Sequence, residues 1–252
     1  MKKDIIFNEL TNQLEYTKNI FKFDDSDIIG IFLHGSQNYN CDYENSDIDS
    51  IFLYKNKKIS IPYIFYNDNQ IILINLDNFI TKLKKSLLPY YELFYTDYYI
   101  LNDKYSKVIL DFKKDEFSEL LDLSQLNIVK NIFYKIQENI DTIFWMGVKN
   151  TEKNPLIHYN KKRLYQLVRT YNLLKNYVNT LNFVDSIRCD NELAEILKNI
   201  KLGNLIKTQD EIKEYIKEVI KYCRNIKKEN YKDDREKRDK ILENLKMNLL
   251  IL

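Results

Sequence analysis

The sequence predicts an α+β fold: a mixed sheet with flanking helices over residues 1–122, then an all-helical part over residues 123–252. Three observations predict it. Short apolar runs bounded by turn residues crowd the first hundred positions. From about residue 124 the apolar spacing changes to the three-and-four rhythm of helices. Only four Gly and three Pro occur in 252 residues, which excludes long flexible or Pro-rich linkers.

Residues 3–22 read as an amphipathic helix, with Ile5, Ile6, Leu10, Leu14, Tyr16 and Ile20 near one face. DIIGIFLH, 27–34, is a short apolar run that ends in Gly-Ser and reads as a buried strand. DIDSIFLY, 47–54, is a second strand after a polar loop. Segments 59–66 and 70–75 are two more, turned by Asn67-Asp68-Asn69. Residues 76–87 are expected to be helical. Segment 90–101 is read as a short aromatic strand or edge piece, and 103–122 as one or two short helices.

In the second half, long helices are expected over 124–150, 159–181, 209–228 and 232–249, with a short one over 190–200. Lys153-Asn154-Pro155 breaks the first. Gly203 stops the short one, and Thr208 with Glu211 forms a capping box ahead of the helix at 209. No internal repeat is visible.

Apolar residues make up 44% and charged residues 30%, an ordinary balance for a chain long enough to bury a sizeable core. No run reaches the roughly 18 apolar residues of a membrane span, and the start lacks the apolar core of a signal peptide. Cys41, Cys189 and Cys223 are far apart and lack metal or disulfide spacing. The two His exclude a His-rich metal centre. A soluble, cytoplasmic protein with reduced cysteines is expected, without a membrane partner.

Charge is divided. Residues 1–124 carry net −6 and the remainder net +8, and every Arg lies in the second half. An acidic half beside a basic half suits metal ions and phosphates; a basic solvated face on long helices fits as well.

The informative stretch is IGIFLHGSQNYNCDYENSDIDSIF, 29–52. A strand delivers Gly35-Ser36, ten residues follow, and Asp47-Ile48-Asp49 opens the next strand. Residues i and i+2 of a strand face one side, so Asp47 and Asp49 project together. Two adjacent carboxylates repel unless a cation sits between them. An all-oxygen ligand set suits Mg²⁺, which also takes ligands from substrate phosphates. Gly35 permits close approach of backbone to a phosphate, and the N–H groups and hydroxyl at Ser36 can hold it.

This arrangement resembles the nucleotidyltransferases of the DNA polymerase β superfamily, whose signature is Gly-Ser, a spacer and Asp-x-Asp between two strands. It is more similar still to a branch of predicted bacterial nucleotidyltransferases with a Gly-Ser-x-x-Tyr-Gly…Ser-Asp-x-Asp pattern, here Gly35-Ser36-Gln37-Asn38-Tyr39-Asn40…Ser46-Asp47-Ile48-Asp49. Asn40 stands where that pattern has its second Gly. Segment 74–94, with Pro89 and Glu92, resembles the branch's Pro…Glu-Leu passage. Segment 165–174 resembles its helical Lys…His…Arg passage: Lys162 and Arg169 fit, and Gln166 stands where the family has His. Segment 190–206 resembles its leucine-rich tail.

The resemblance implies a nucleotidyltransferase-like sheet and a Mg²⁺-dependent site. Asp47 and Asp49 would be the metal ligands of a two-metal site. Gly35, Ser36, Tyr39 and Ser46 would bind the nucleotide, joined by Lys162 and Arg169. The superfamily's third carboxylate would be Glu92, Asp68 or Asp77; a buried structural role for Glu92, and turn and cap roles for Asp68 and Asp77, fit equally. Lys162 and Arg169 share a helix face with Gln166 and also fit a solvated stripe. The implied reaction moves an NMP from an NTP to an acceptor hydroxyl of an RNA 3′ end, a protein or a small molecule, releasing pyrophosphate. The alternative is a catalytically inactive binding protein on the same fold, a partner or antitoxin-like subunit.

Overall fold

The computed structural model describes residues 2–39, 41, 46–56, 58–144, 159–205 and 208–252. It divides into two compact units. The first comprises residues 1–39, 44–127 and 232–252, and the second residues 40–43 and 128–231.

The first unit is α+β. Helix α1, Lys2–Phe21, precedes strand β1, Ile28–His34, a single 3-10 turn, Ser36–Tyr39, and strand β2, Asp49–Tyr54. Strands β3, Tyr63–Tyr66, and β4, Asn69–Asn75, form a hairpin. Asn67 and Asp68 at its tip both have positive φ, 46° and 67°, a conformation Asn and Asp tolerate better than most residues. Helix α2, Leu76–Lys84, is capped by the Asn75 side chain, which accepts from the Asn78 N–H. The aromatic segment that follows is more helical than its sequence suggests. Pro89 lies in the first turn of the short helix α3, Leu88–Tyr91, a 3-10 turn covers Glu92–Phe94, and only Tyr99–Leu101 is strand, β5. Helices α4, Asp103–Asp111, and α5, Phe117–Asp122, are joined by a π-helical segment, Phe112–Glu116.

The sheet order is β3-β4-β2-β1-β5. Strand β2 runs parallel to β4 and antiparallel to β1, so the sheet is mixed. One face receives α1. Leu33, Ser50 and Ile71 lie in one row on that face, because Leu33 pairs with Ser50 and Ser50 with Ile71. Ile6 and Leu10 of α1 pack there with Phe23, Ile31, Phe52, Tyr54 and Leu73. Elsewhere in the unit Phe79 stacks near Phe94, which in turn lies 4.8 Å from Phe112 and 5.1 Å from Phe117, ring centre to ring centre.

Two expectations change here. The buried stripe of α1 is Ile6, Leu10, Gln13 and Thr17, whereas Ile5 and Ile20 are about half exposed. The last helix, α11, Arg235–Ile251, belongs to the sheet unit and not to a single helical domain over 123–252. It buries Leu242, Leu245 and Leu249, and Lys84 and Asp77 of α2 pair with Glu243 and Lys246.

The second unit is helical. It takes most of α6, Gln125–Ile143, then α7, Lys161–Thr180, α8, Phe183–Ile187, α9, Asn191–Leu202, and α10, Gln209–Arg224. The expected extension of the first long helix to 150 and its break at Pro155 lie outside the described residues. Gly203 ends α9 at φ 76°, and the Thr208–Glu211 capping box is formed. Apolar stripes such as Leu193, Leu197 and Ile200 on α9, and Ile212 and Val219 on α10, are buried. Cys41 and Cys189 form a disulfide within this unit, which corrects the expectation of three unpaired thiols. Cys223 is free, and burial pushes its thiol up to about 11.

Candidate active site around Gly35, Ser36, Asp47 and Asp49

Strand pairing brings both ends of the Gly-Ser…Asp-x-Asp stretch together. His34, the last residue of β1, pairs with Asp49, the first of β2. Gly35 follows at φ 89°, the left-handed region that favours glycine. Its α-carbon faces Asp49: a Cβ placed there would sit 3.5 Å from Asp49 Oδ2. Ser36 then opens the 3-10 turn, which is closed by the Asn38 N–H donating to the Gly35 carbonyl, 3.0 Å.

That turn is anchored from below. Asn38 Nδ2 donates to the Leu33 carbonyl, 2.7 Å, and Thr96 Oγ1 donates to Asn38 Oδ1, 2.6 Å. Gln37 reaches across the spacer to the Ser46 carbonyl, 3.3 Å. Tyr39 ends the turn as a fully buried side chain whose hydroxyl donates to Glu92. Burial makes Tyr39 a core residue of the loop rather than an exposed stacking platform.

Asp49 is half-buried, and its Oδ1 accepts the Gln70 N–H at 2.8 Å. A backbone donor on one carboxylate oxygen fixes the group's orientation. Asp47 is exposed and lies ahead of β2, not in it. Between the two aspartates, the Ile48 backbone is held by side chains. Its N–H donates to Asn69 Oδ1, 2.9 Å, and its carbonyl accepts from Gln13 Nε2, 2.8 Å. Periodicity gave no sign of these two amides, because Gln in a helix and Asn after a turn usually face water.

The strand beside β2, β4, carries no carboxylate. One step before the Ser50–Ile71 pair, Gln70 stands beside Asp49. Asp68 occupies the hairpin tip, and Asp77 pairs with Lys246 at 2.7 Å. Glu92 also lies at this end of β1: it is 1% exposed, receives the Tyr39 hydroxyl, and lies 3.3 Å from His34 Nδ1. Among the described residues no group of three or more His, Cys, Asp or Glu is arranged to hold a metal ion. Two carboxylates with phosphate and water oxygens are still a sufficient set for Mg²⁺. Asp47 and Asp49 fit that chemistry as hard oxygen donors, and Asp49 lies against the half-buried turn at Gly35.

Lys113, which sequence reasoning passed over, donates to the Thr96 carbonyl at 3.0 Å, and burial holds its ammonium below the usual lysine range. It thus stands next to the residue that anchors Asn38. Lys162 is exposed and Arg169 half-buried on α7, both in the second unit with Gln166 between them. Asn40 lies outside the described residues.

No helix among the described residues is long and apolar enough to cross a membrane. The chain matches no protein-family model and no curated protein sequence.

Proposed function

We propose that the chain is a Mg²⁺-dependent nucleotidyltransferase that moves an NMP from an NTP to an acceptor hydroxyl. The observation that carries this reading is the pairing of His34 with Asp49, which sets the left-handed Gly35 against the Asp49 carboxylate, two residues beyond Asp47.

Each residue has a physical task. Gly35 lacks a side chain, so the backbone meets a phosphate closely. The Ser36 hydroxyl and the N–H groups at the start of the turn donate to β- and γ-phosphate oxygens. Asp47 and Asp49 would hold Mg²⁺, which supplies charge neutralisation at the phosphates when bound. The acceptor oxygen bonds to the α-phosphorus as the bond to the bridging oxygen breaks, and pyrophosphate leaves. Glu92, buried under Tyr39, keeps the turn and His34 in place in this reading, and the acceptor's proton passes to solvent. Positioning and charge neutralisation are most of what phosphoryl chemistry asks of a protein. Lys162 and Arg169 belong to the other unit, and the reading does not rest on them.

A second reading has an observation in its favour. Gln70, not a carboxylate, stands beside Asp49. A binding protein on this fold would take up Mg²⁺ and NTP without transfer.

The test is transfer of label from four α-labelled NTPs with Mg²⁺, alone, with total RNA, and with lysate protein. Label on a macromolecule is expected with the intact chain and a loss on the order of 10³-fold or more with Asp47→Ala, Asp49→Ala. Label that persists in the double variant overturns the assignment. Mg²⁺-dependent NTP binding without any label favours the binding protein.

A further inference from the structure

Resting on that reading of the Asp-x-Asp carboxylates, we infer that Gln13 of α1, with Asn69, is a positioning residue for the cation site. The two amides hold the Ile48 backbone so that Asp47 and Asp49 converge.

The need arises from where β2 begins. Two aspartates at i and i+2 share a side only while the chain between them stays extended. The β-ladder starts at Asp49, so Asp47 and Ile48 lie ahead of its pairing with β1 and β4. Backbone groups near a core must find partners. Here two side chains supply them, Asn69 to the Ile48 N–H and Gln13 to the Ile48 carbonyl.

The amides are themselves oriented. Glu9 Oε1 accepts from Asn69 Nδ2 at 2.7 Å and from Gln13 Nε2 at 3.2 Å. Asn69 is therefore left with its oxygen toward the Ile48 N–H, and Gln13 with its nitrogen toward the Ile48 carbonyl. Ser50 Oγ donates to Gln13 Oε1 at 2.5 Å. Gln13 and Ser50 are both fully buried. A buried network with each member satisfied is rigid, whereas one left half-satisfied is costly. Stability alone would be served as well by an apolar residue at position 13, in line with Ile6 and Leu10 on the same stripe. What the amide adds is a fixed Ile48.

The experiment measures Mn²⁺ binding by electron paramagnetic resonance, with a non-hydrolysable ATP analogue present. It compares the full chain with Gln13→Met, Asn69→Ala and Leu10→Ala. Met matches Gln in shape but drops both bonds; Leu10 is buried on the same helix, and its side chain has no group that could hydrogen-bond the Ile48 backbone. Outer partners of metal ligands typically change affinity 10- to 100-fold. Gln13→Met and Asn69→Ala are therefore expected to weaken Mn²⁺ binding about 10-fold or more. Leu10→Ala is expected to lower the melting temperature but to leave affinity within about twofold. Asn69→Ala is only partly buried and serves where Gln13→Met fails to fold. Affinity unchanged in a folded Gln13→Met or Asn69→Ala protein overturns the inference while leaving the site intact. No Mn²⁺ binding by the unaltered chain overturns both the site and the inference.

Discussion

Gly35 holds a backbone conformation that favours glycine. At φ 89° an Ala would enter a left-handed conformation that disfavours a Cβ by about 1–2 kcal/mol. The added carbon itself would meet Asp49 at ordinary contact distance. Gly35→Ala is thus expected to fold with a modest loss of stability and to weaken NTP binding more than the melting temperature suggests; calorimetry on both properties checks this. The cysteines give a second expectation. In denaturant without reductant one cysteine should be alkylated, and after reduction three, as read by intact mass. Three labels before reduction would contradict the Cys41–Cys189 bond. In the folded protein the Cys223 thiol, raised to about 11, stays protonated at pH 8 and should react slowly. Gly35, Ser36, Asp47 and Asp49 were legible because their types and spacing are local. Cys41 and Cys189 were not, because 148 residues separate them and no spacing rule links such a pair. Gln13 was hidden for a related reason: its partner, the Ile48 carbonyl, lies 35 residues on.

At the scale of elements, the strands and caps were the most readable. The runs at 27–34 and 70–75 became β1 and β4 nearly as expected, because buried strands are short, apolar and bounded by turn residues. The Thr208–Glu211 box and Gly203 marked helix ends for the same local reasons. Helix faces were harder. The side of α1 that is buried is Ile6, Leu10, Gln13 and Thr17, and Gln13 meets the Ile48 carbonyl and the Ser50 hydroxyl, polar partners that apolar spacing does not announce. Helix α11 shows ordinary core burial, with Leu245 2% exposed. Leu245→Ala should destabilise the first unit by about 2–5 kcal/mol in denaturant titrations. The same change at exposed Met247 should cost under about 1 kcal/mol.

For the whole molecule, the change of character near residue 124 was legible, and the unit boundary falls close to it, after residue 127. The return of residues 232–252 to the sheet unit was not, since a helix does not announce which partner buries it. Deleting 232–252 is therefore expected to unfold the sheet unit rather than trim a separate helical domain. Limited proteolysis of the shortened chain would show rapid loss of residues 1–127, where a dispensable tail would leave them protected. On the proposed reading, chemistry would follow the same division. The Gly-Ser turn and both aspartates belong to the first unit, so cation and triphosphate binding should follow its integrity.

The most direct measurement is calorimetric titration of the full chain with a non-hydrolysable NTP, in Mg²⁺ and in EDTA, beside Asp49→Ala. The account expects saturable binding in Mg²⁺ that weakens at least about 10-fold in EDTA and in the variant. Binding of equal strength in all three conditions, or in none, would contradict it.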